Sequence, residues 1–236
     1  MCGRASLTKN EKELEIRFNA GFYTEDIERY NPLPNFNLGP GQYHPVITNQ
    51  DQHNFNFLRW GLVPYWAKDE KIAYKLINAR SETIQEKPSF KESVQKRRCL
   101  IPLDGFYEWR KDKSGQSLPY RFVLPRKEVF SVAGIWESWN APNGATLQTF
   151  SIITVKANET VGRLHGRMPA ILFPAEEKLW LDDELKTEDH LQLLRPFPSE
   201  NIYGYPVSTK VNSVKNNGAD LIMESAHPKL IQGSLF

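Results

Sequence analysis

From Phe55 onward, apolar residues fall in short alternating or continuous runs typical of strands: NFNFLRW, RCLIPL, GFYEWR, LPYRFVL, VFSVAGIW, LQTFSIITV and, late in the chain, YGYPVS. Two hairpins are predicted among them. One turns at Lys113-Ser114-Gly115, the other at Pro142-Asn143-Gly144, where Asn-Gly suits the positive φ angles of a tight turn. Helical spacing is confined to a few stretches. Thr8-Lys9-Asn10-Glu11 fits a capping box, with Leu14 and Phe18 following at i,i+4, which predicts a helix over about residues 9 to 19. Ser89-Phe90-Lys91-Glu92 repeats the signature before a second helix ending near Arg98, and helical patterns return at AEEKLWLDDEL and EDHLQLL. The class predicted is α+β, predominantly β, with a curved mixed or barrel-like sheet and peripheral helices. No repeat, low-complexity tract or long polar linker interrupts the chain, so a single domain over residues 1–236 is expected.

Composition narrows this picture by exclusion. With 40% hydrophobic residues and six Trp, 236 residues can bury a sizeable core. No apolar run approaches the ~20 residues of a membrane span, and the polar start MCGRASLTKN lacks a signal-peptide core, which gives a cytoplasmic reading. Cys2 and Cys99 are too few for a disulfide framework and are expected as thiols. There is no zinc-like Cys/His spacing, no Gly-rich phosphate loop and no Ser/His/Asp triad, and no cofactor is expected. A net charge of +2 is mild, so a nucleic-acid partner would need a local groove of Arg and Lys rather than the overall field.

The candidate chemistry begins at Cys2. An initiator Met followed by a small residue is of the kind usually trimmed, which would leave Cys2 with both a free α-amine and a thiol. An α-amine of pKa roughly 7.7–8 is neutral at pH 7 far more often than a lysine, so it attacks carbonyls readily. The imine that forms is then within reach of the thiol of the same residue, which closes a five-membered thiazolidine. An aldehyde is the natural target. Three further segments supply candidate partners, each with a plainer reading beside it. Asn78, in LINARSE, is either a helix N-cap or a hydrogen-bonding group for a bound intermediate, and Arg80 beside it offers a forked donor for phosphate. Glu108, in DGFYEW, either faces solvent on an alternating strand or lines a cleft, where apolar neighbours would raise its pKa and make it a proton shuttle. His165, in RLHGRMP, is either a structural residue or the group that protonates a departing oxygen, with Arg163 and Arg167 beside it to hold phosphates. In RWGLVPYW, Trp60 and Trp66 read first as core and second as a stacking platform for unpaired bases.

Taken in order, MCGR, GPGQYHPVI, RWGLVPYWAKD, INARSET, RRCLIPLDGFYEW, SVAGIWE, SIITVKAN, LHGRMPAIL and YPVSTKVNSVKNNG resemble the SOS response-associated peptidase family of abasic-site-processing proteins over almost the whole chain. The resemblance implies binding to single-stranded DNA at an abasic site and a covalent link from Cys2 to the ring-opened sugar aldehyde. It implies that Asn78 holds the thiazolidine and sugar, that Glu108 is the acid/base residue, and that His165 assists sugar-ring opening and reversal of the link. Arg4, Arg80 and Arg167 are implied as phosphate contacts, with Trp66 and Trp109 as base or sugar contacts. A monomer that associates with the nucleoid when bound to DNA is expected, with weak lyase activity through the imine. The family more often has Ala-Pro-Thr-Gln where this chain has Gly39-Pro40-Gly41-Gln42. Two other readings stay open on the residues: an N-terminal-cysteine peptidase or amidohydrolase, and a non-catalytic single-strand-binding module.

Overall fold

Strand pairing, rather than helix packing, frames the molecule, a computed structural model that describes residues 2–30, 33–111 and 114–225. The described strands are β1 (Ala5–Leu7), β2 (Gly21–Phe22), β3 (Asn35–Leu38), β4 (Tyr43–Thr48), β5 (Asp51–Trp60), β6 (Asn78–Arg80) and β7 (Arg98–Leu103). They continue with β8 (Gly105–Lys111), β9 (Ser117–Val123), β10 (Phe130–Asn140), β11 (Thr146–Lys156), β12 (Arg167–Pro169), β13 (Ile171–Leu172) and β14 (Tyr203–Pro206). The helices are short: α1 (Glu11–Phe18), α2 (Thr24–Tyr30), α3 (Lys91–Lys96), α4 (Glu159–Gly162), α5 (Pro174–Leu181) and α6 (Thr187–Gln192).

Strands β5, β4, β7, β10 and β11 pair antiparallel in that order, and β11 then pairs parallel with β5 through Thr149↔Arg59 and Phe150↔Trp60. That last pairing closes a five-stranded mixed barrel, and closure removes exposed edges. Past the end of β5, β11 continues its parallel pairing with β6, setting Asn78 opposite Ile152. A second sheet runs β14-β9-β8-β1-β3, so β1 lies between two partners and all three of its residues are buried. The chain passes from barrel to second sheet at Asp104, between β7 and β8. On β8 the two-residue period divides the faces. Phe106 packs into the main core that also holds Cys2, whereas Tyr107 and Trp109 join a smaller cluster with Val123, Tyr205 and Val211. Glu108 shares the face of Phe106.

Several local expectations shift. The first helix is capped by Asn10, which exchanges hydrogen bonds with Glu13, instead of by Thr8. Thr8 is held by Asp104, which accepts from both its N–H and its hydroxyl. The second helix starts at Lys91 with no side-chain cap from Ser89 and ends at Lys96, because Arg98 already belongs to β7. In the hairpin after β10 only Gly144 has a positive φ (+83°), and Ala141 and Ala145 bond across a loop longer than the tight turn expected. Of the other predicted hairpin, Lys113 lies outside the described residues; Gly115 has a φ of +83°. Gly41, where the sequence departs from the family pattern, adopts a φ of +87°, a conformation that glycine reaches at little cost. Among the described residues no helix is long and apolar enough to cross a membrane.

Candidate active site

Cys2 is completely buried, drawn in by β1 between β3 and β8. Tyr107 N–H donates to Arg4 O at 2.9 Å, extending the β1–β8 pairing toward the terminus. The Cys2 carbonyl accepts from Asn78 Nδ2 at 2.8 Å, and its sulfur sits 3.9 Å from Arg4 O. Asn78 is therefore not a helix cap. It opens β6, whose parallel register on β11 aims its amide at Cys2. The other end of that amide, Oδ1, is buried with no hydrogen-bond partner among the described residues, an acceptor left open beside the Cys2 backbone.

Glu108 is 3% exposed, so the solvent-facing reading of this strand does not hold. His165 is placed by α4, a single turn capped by Asn158, whose Oδ1 accepts from Val161 N–H at 2.9 Å; His165 N–H then donates to Val161 O at 3.0 Å. This brings His165 Nδ1 to 3.9 Å from Glu108 Oε1. The same Nδ1 lies 3.0 Å from Arg167 N and 3.2 Å from Arg167 O, which hold the ring in place. Burial pushes the Cys2 thiol well above its ordinary pKa, and the nearby Glu108 charge adds to the push. The sulfur is thus held as a thiol, not a thiolate. Burial also raises the Glu108 carboxyl, with His165 pulling it part of the way back. A carboxyl so placed can hold a proton closer to neutral pH than a solvated glutamate can. The arrangement joins a buried cysteine, a carboxamide that fixes its backbone, and a carboxyl–imidazole pair able to move protons.

The five DNA-contact candidates divide. Arg4 donates through Nη1 to Asn37 Oδ1 at 2.6 Å and Val211 O at 2.7 Å, and stacks 5.9 Å over Trp109. It ties β1 to β3 and to the segment after β14. Arg167 makes a bidentate pair with Glu82 at 2.6 and 2.9 Å and also donates to Thr154, so its guanidinium is committed to protein. Trp109 is half-buried and donates to Asn212 Oδ1 at 2.7 Å. Arg80 and Trp66 are exposed, Trp66 at 47%, contrary to its first reading as core; Trp60 is core. Trp66 stands on a turn pinned from behind by Trp139, which donates to Ala67 O at 2.8 Å. Sequence spacing gave no sign of the buried network behind Cys2. Asp104 accepts from Ser6, Thr8 and Arg121, and Arg121 bonds onward to Tyr205. Both cysteines are free and buried, and among the described residues no cluster suits a metal ion.

Comparison with known proteins identifies the family of the chain. The family described as SOS response associated peptidase (SRAP) matches residues 1–214. The abasic site processing protein YoqW of Bacillus subtilis is 43% identical over 224 residues, 94% of this chain and 99% of that one. The abasic site processing protein HMCES of Gallus gallus is 35% identical, covering 99% of this chain and 81% of its own. A crystal structure of a protein from Bacteroides thetaiotaomicron superposes with a TM-score of 0.88 at 29% identity, over 95% of this chain and 100% of that one.

Proposed function

The chain belongs to the SOS response associated peptidase family, and from that premise we propose that it processes abasic sites in DNA by capping them, in single-stranded DNA, as a thiazolidine crosslink to Cys2. The relatives named as abasic site processing proteins support the coarser part of this reading. The single observation that carries the finer part is the seating of Cys2: buried, bonded to Asn78 through its carbonyl, and within the field of Glu108.

The chemistry follows from the groups present. Loss of Met1 frees the Cys2 amine, whose N–H can donate to the open Oδ1 of Asn78. The amine nitrogen bonds to the aldehyde carbon of the ring-opened sugar, giving a carbinolamine. Glu108, protonated, delivers a proton to the hydroxyl, which leaves as water, and an imine remains. The Cys2 sulfur then adds to the imine carbon while its proton passes to the nitrogen, closing the ring. His165, next to Glu108, suits the earlier proton transfer that opens the sugar and the reverse of ring closure. A thiol kept protonated by burial favours this order, with amine first and sulfur second, over direct thiolate attack on an acyl carbon. The surfaces left for DNA are Arg80 and Trp66. Arg4, Arg167 and Trp109 act chiefly as struts that keep the N-terminal strand and the His165 loop in place.

An intact mass spectrum after incubation with abasic single-stranded DNA tests the proposal. The expected product is protein lacking Met1 plus one DNA strand less one water, stable to denaturant. Failure of the native protein to form it, or equal stable crosslinking by Cys2→Ser, refutes the reading.

A further inference from the structure

Asn78 holds the Cys2 carbonyl, and something must in turn hold Asn78. It begins a strand of three residues, β6, which among the described strands pairs with β11 alone. At the Asn78 end that pairing is long, with Ile152 N–H donating to Ile77 O at 3.2 Å. The same carbonyl accepts a second, shorter bond, from the indole N–H of Trp60 at 2.9 Å. A peptide unit is planar and stiff. A donor that fixes Ile77 O therefore also fixes the backbone nitrogen of Asn78, one bond from the carbon that carries its amide side chain.

Trp60 is itself immobile. It has no exposed surface, and its ring lies nearly parallel to that of Phe150, at 13° with 6.1 Å between centroids. Its N–H donates to Gln42 O at 2.9 Å and its carbonyl accepts from Gly41 N–H at 2.8 Å. Trp60 ends β5, which lies along β11 at Phe150, and β6 takes up the same parallel pairing at Ile152. Between them the chain makes an excursion that Leu62 N–H closes at its base by donating to Leu76 O at 3.1 Å. The indole closes it again one residue nearer to Asn78. A buried indole N–H needs an acceptor in any case, but any carbonyl would satisfy that need, and the one taken adjoins Asn78. We propose that Trp60 is a positioning residue for the reaction at Cys2, acting through Ile77 O to aim the Asn78 amide at the Cys2 carbonyl. This assignment rests on the reading that Cys2 is the reacting residue.

Two measurements on the full chain test it, using Trp60→Phe, Asn78→Ala and the double variant. Trp60→Phe keeps a ring against Phe150 and drops the N–H. A second variant, with 3-benzothienylalanine introduced at position 60, keeps the bicyclic ring and lacks only the N–H, so the test survives if Trp60→Phe does not fold. The first measurement is single-turnover crosslinking to an abasic single-stranded oligonucleotide over a range of protein concentrations. A misplacement of about 1 Å costs a factor on the order of 100, so a smaller shift of the amide is expected to slow the saturating rate about 10-fold. The half-saturating concentration should not change, and adding either position-60 change to Asn78→Ala should cause no further slowing. The second measurement needs no DNA: iodoacetamide labelling of each thiol, followed by peptide mass spectrometry. Cys2 is expected to label faster in the position-60 variants, with no further gain in the Asn78→Ala background, while the other buried thiol, Cys99, labels at its native rate. Native behaviour of the benzothienyl variant in both measurements, losses that multiply in the double variant, or faster labelling of Cys99 together with Cys2 overturns the assignment. If the native protein forms no adduct, the crosslinking reading fails and the labelling alone decides whether Trp60 seats Cys2 through Asn78.

Discussion

Asp104→Asn removes one charge from the pair behind the N-terminal strand and leaves everything else in place. Asp104 is 2% and Arg121 1% exposed, with Arg121 Nη2 2.8 Å from Asp104 Oδ1. Breaking such a buried pair by neutralising one partner costs roughly 3–5 kcal/mol, because the other charge is left without compensation. Arg121 keeps its bonds to Ser6 Oγ, Tyr205 Oη and Asp104 O, which holds the expected loss toward the middle of that range. The new amide, however, must point its NH₂ at the donors of Arg121 or of Thr8. With a urea m-value of about 2 kcal/mol per molar, 3–5 kcal/mol lowers the unfolding midpoint by about 1.5–2.5 M. Urea titration by tryptophan fluorescence measures this. The cycle is completed with Arg121→Met and the double variant, whose loss should fall well short of the sum of the single losses. Because Ser6 and Thr8 also bond to Asp104, crosslinking should slow at temperatures where the variant is still folded. An unchanged midpoint, or strictly additive losses, would refute the assignment of this pair as the anchor of β1.

Glu108→Gln should abolish crosslinking yet stabilise the protein above acid pH. The folded pKa of Glu108 is raised by burial above an unfolded value of about 4.3. The native protein therefore matches the variant below that value and falls behind as pH rises through the folded pKa. Melting temperatures between pH 4 and pH 8 check the sign, and a gap that narrows with rising pH contradicts it. Asn78→Ala, losing the 2.8 Å bond to Cys2 O, should slow crosslinking by up to about 100-fold while costing only about 1 kcal/mol of stability, read by single-turnover gels and thermal melts. Gly105→Ala should cost about 1–3 kcal/mol, since a Cβ there would lie 2.6 Å from Arg121 Nε, a side chain that cannot move aside; a neutral result in the same urea assay would show that it can.

Strands β5, β7 to β11 and β14 were legible because each carries its own apolar run bounded by turn residues. Barrel closure was not legible in detail. It depends on the parallel pairing of β11 with β5, between residues 90 apart at Thr149↔Arg59, and no local pattern encodes that register. The same long-range pairing defeated the cap reading of Asn78, whose Asn-Ala-Arg run is too short and polar to announce a strand. β1 and β3 are short, and Pro45 sits inside β4, so their sequences resemble loop. Cys2, Glu108 and His165 were legible as chemistry: an aminothiol at a terminus, a carboxyl among aromatics, an imidazole in a basic loop. Which arginines are occupied by protein was not, because Asn37, Val211 and Glu82 reach Arg4 and Arg167 from distant parts of the chain.

The complete burial of Cys2 has a protective side as well. An aminothiol free in water condenses with whatever small aldehyde diffuses past, and a cell always contains some. On the proposed chemistry, a residue with so little exposed surface would meet only carbonyls that something else delivers, and the walls around Cys2 would act as a sieve. Selectivity then belongs less to the reagent, which is indiscriminate, than to the enclosure built by strands on either side of it. Loosening that enclosure should broaden reactivity toward small aldehydes at the moment it weakens reactivity toward DNA.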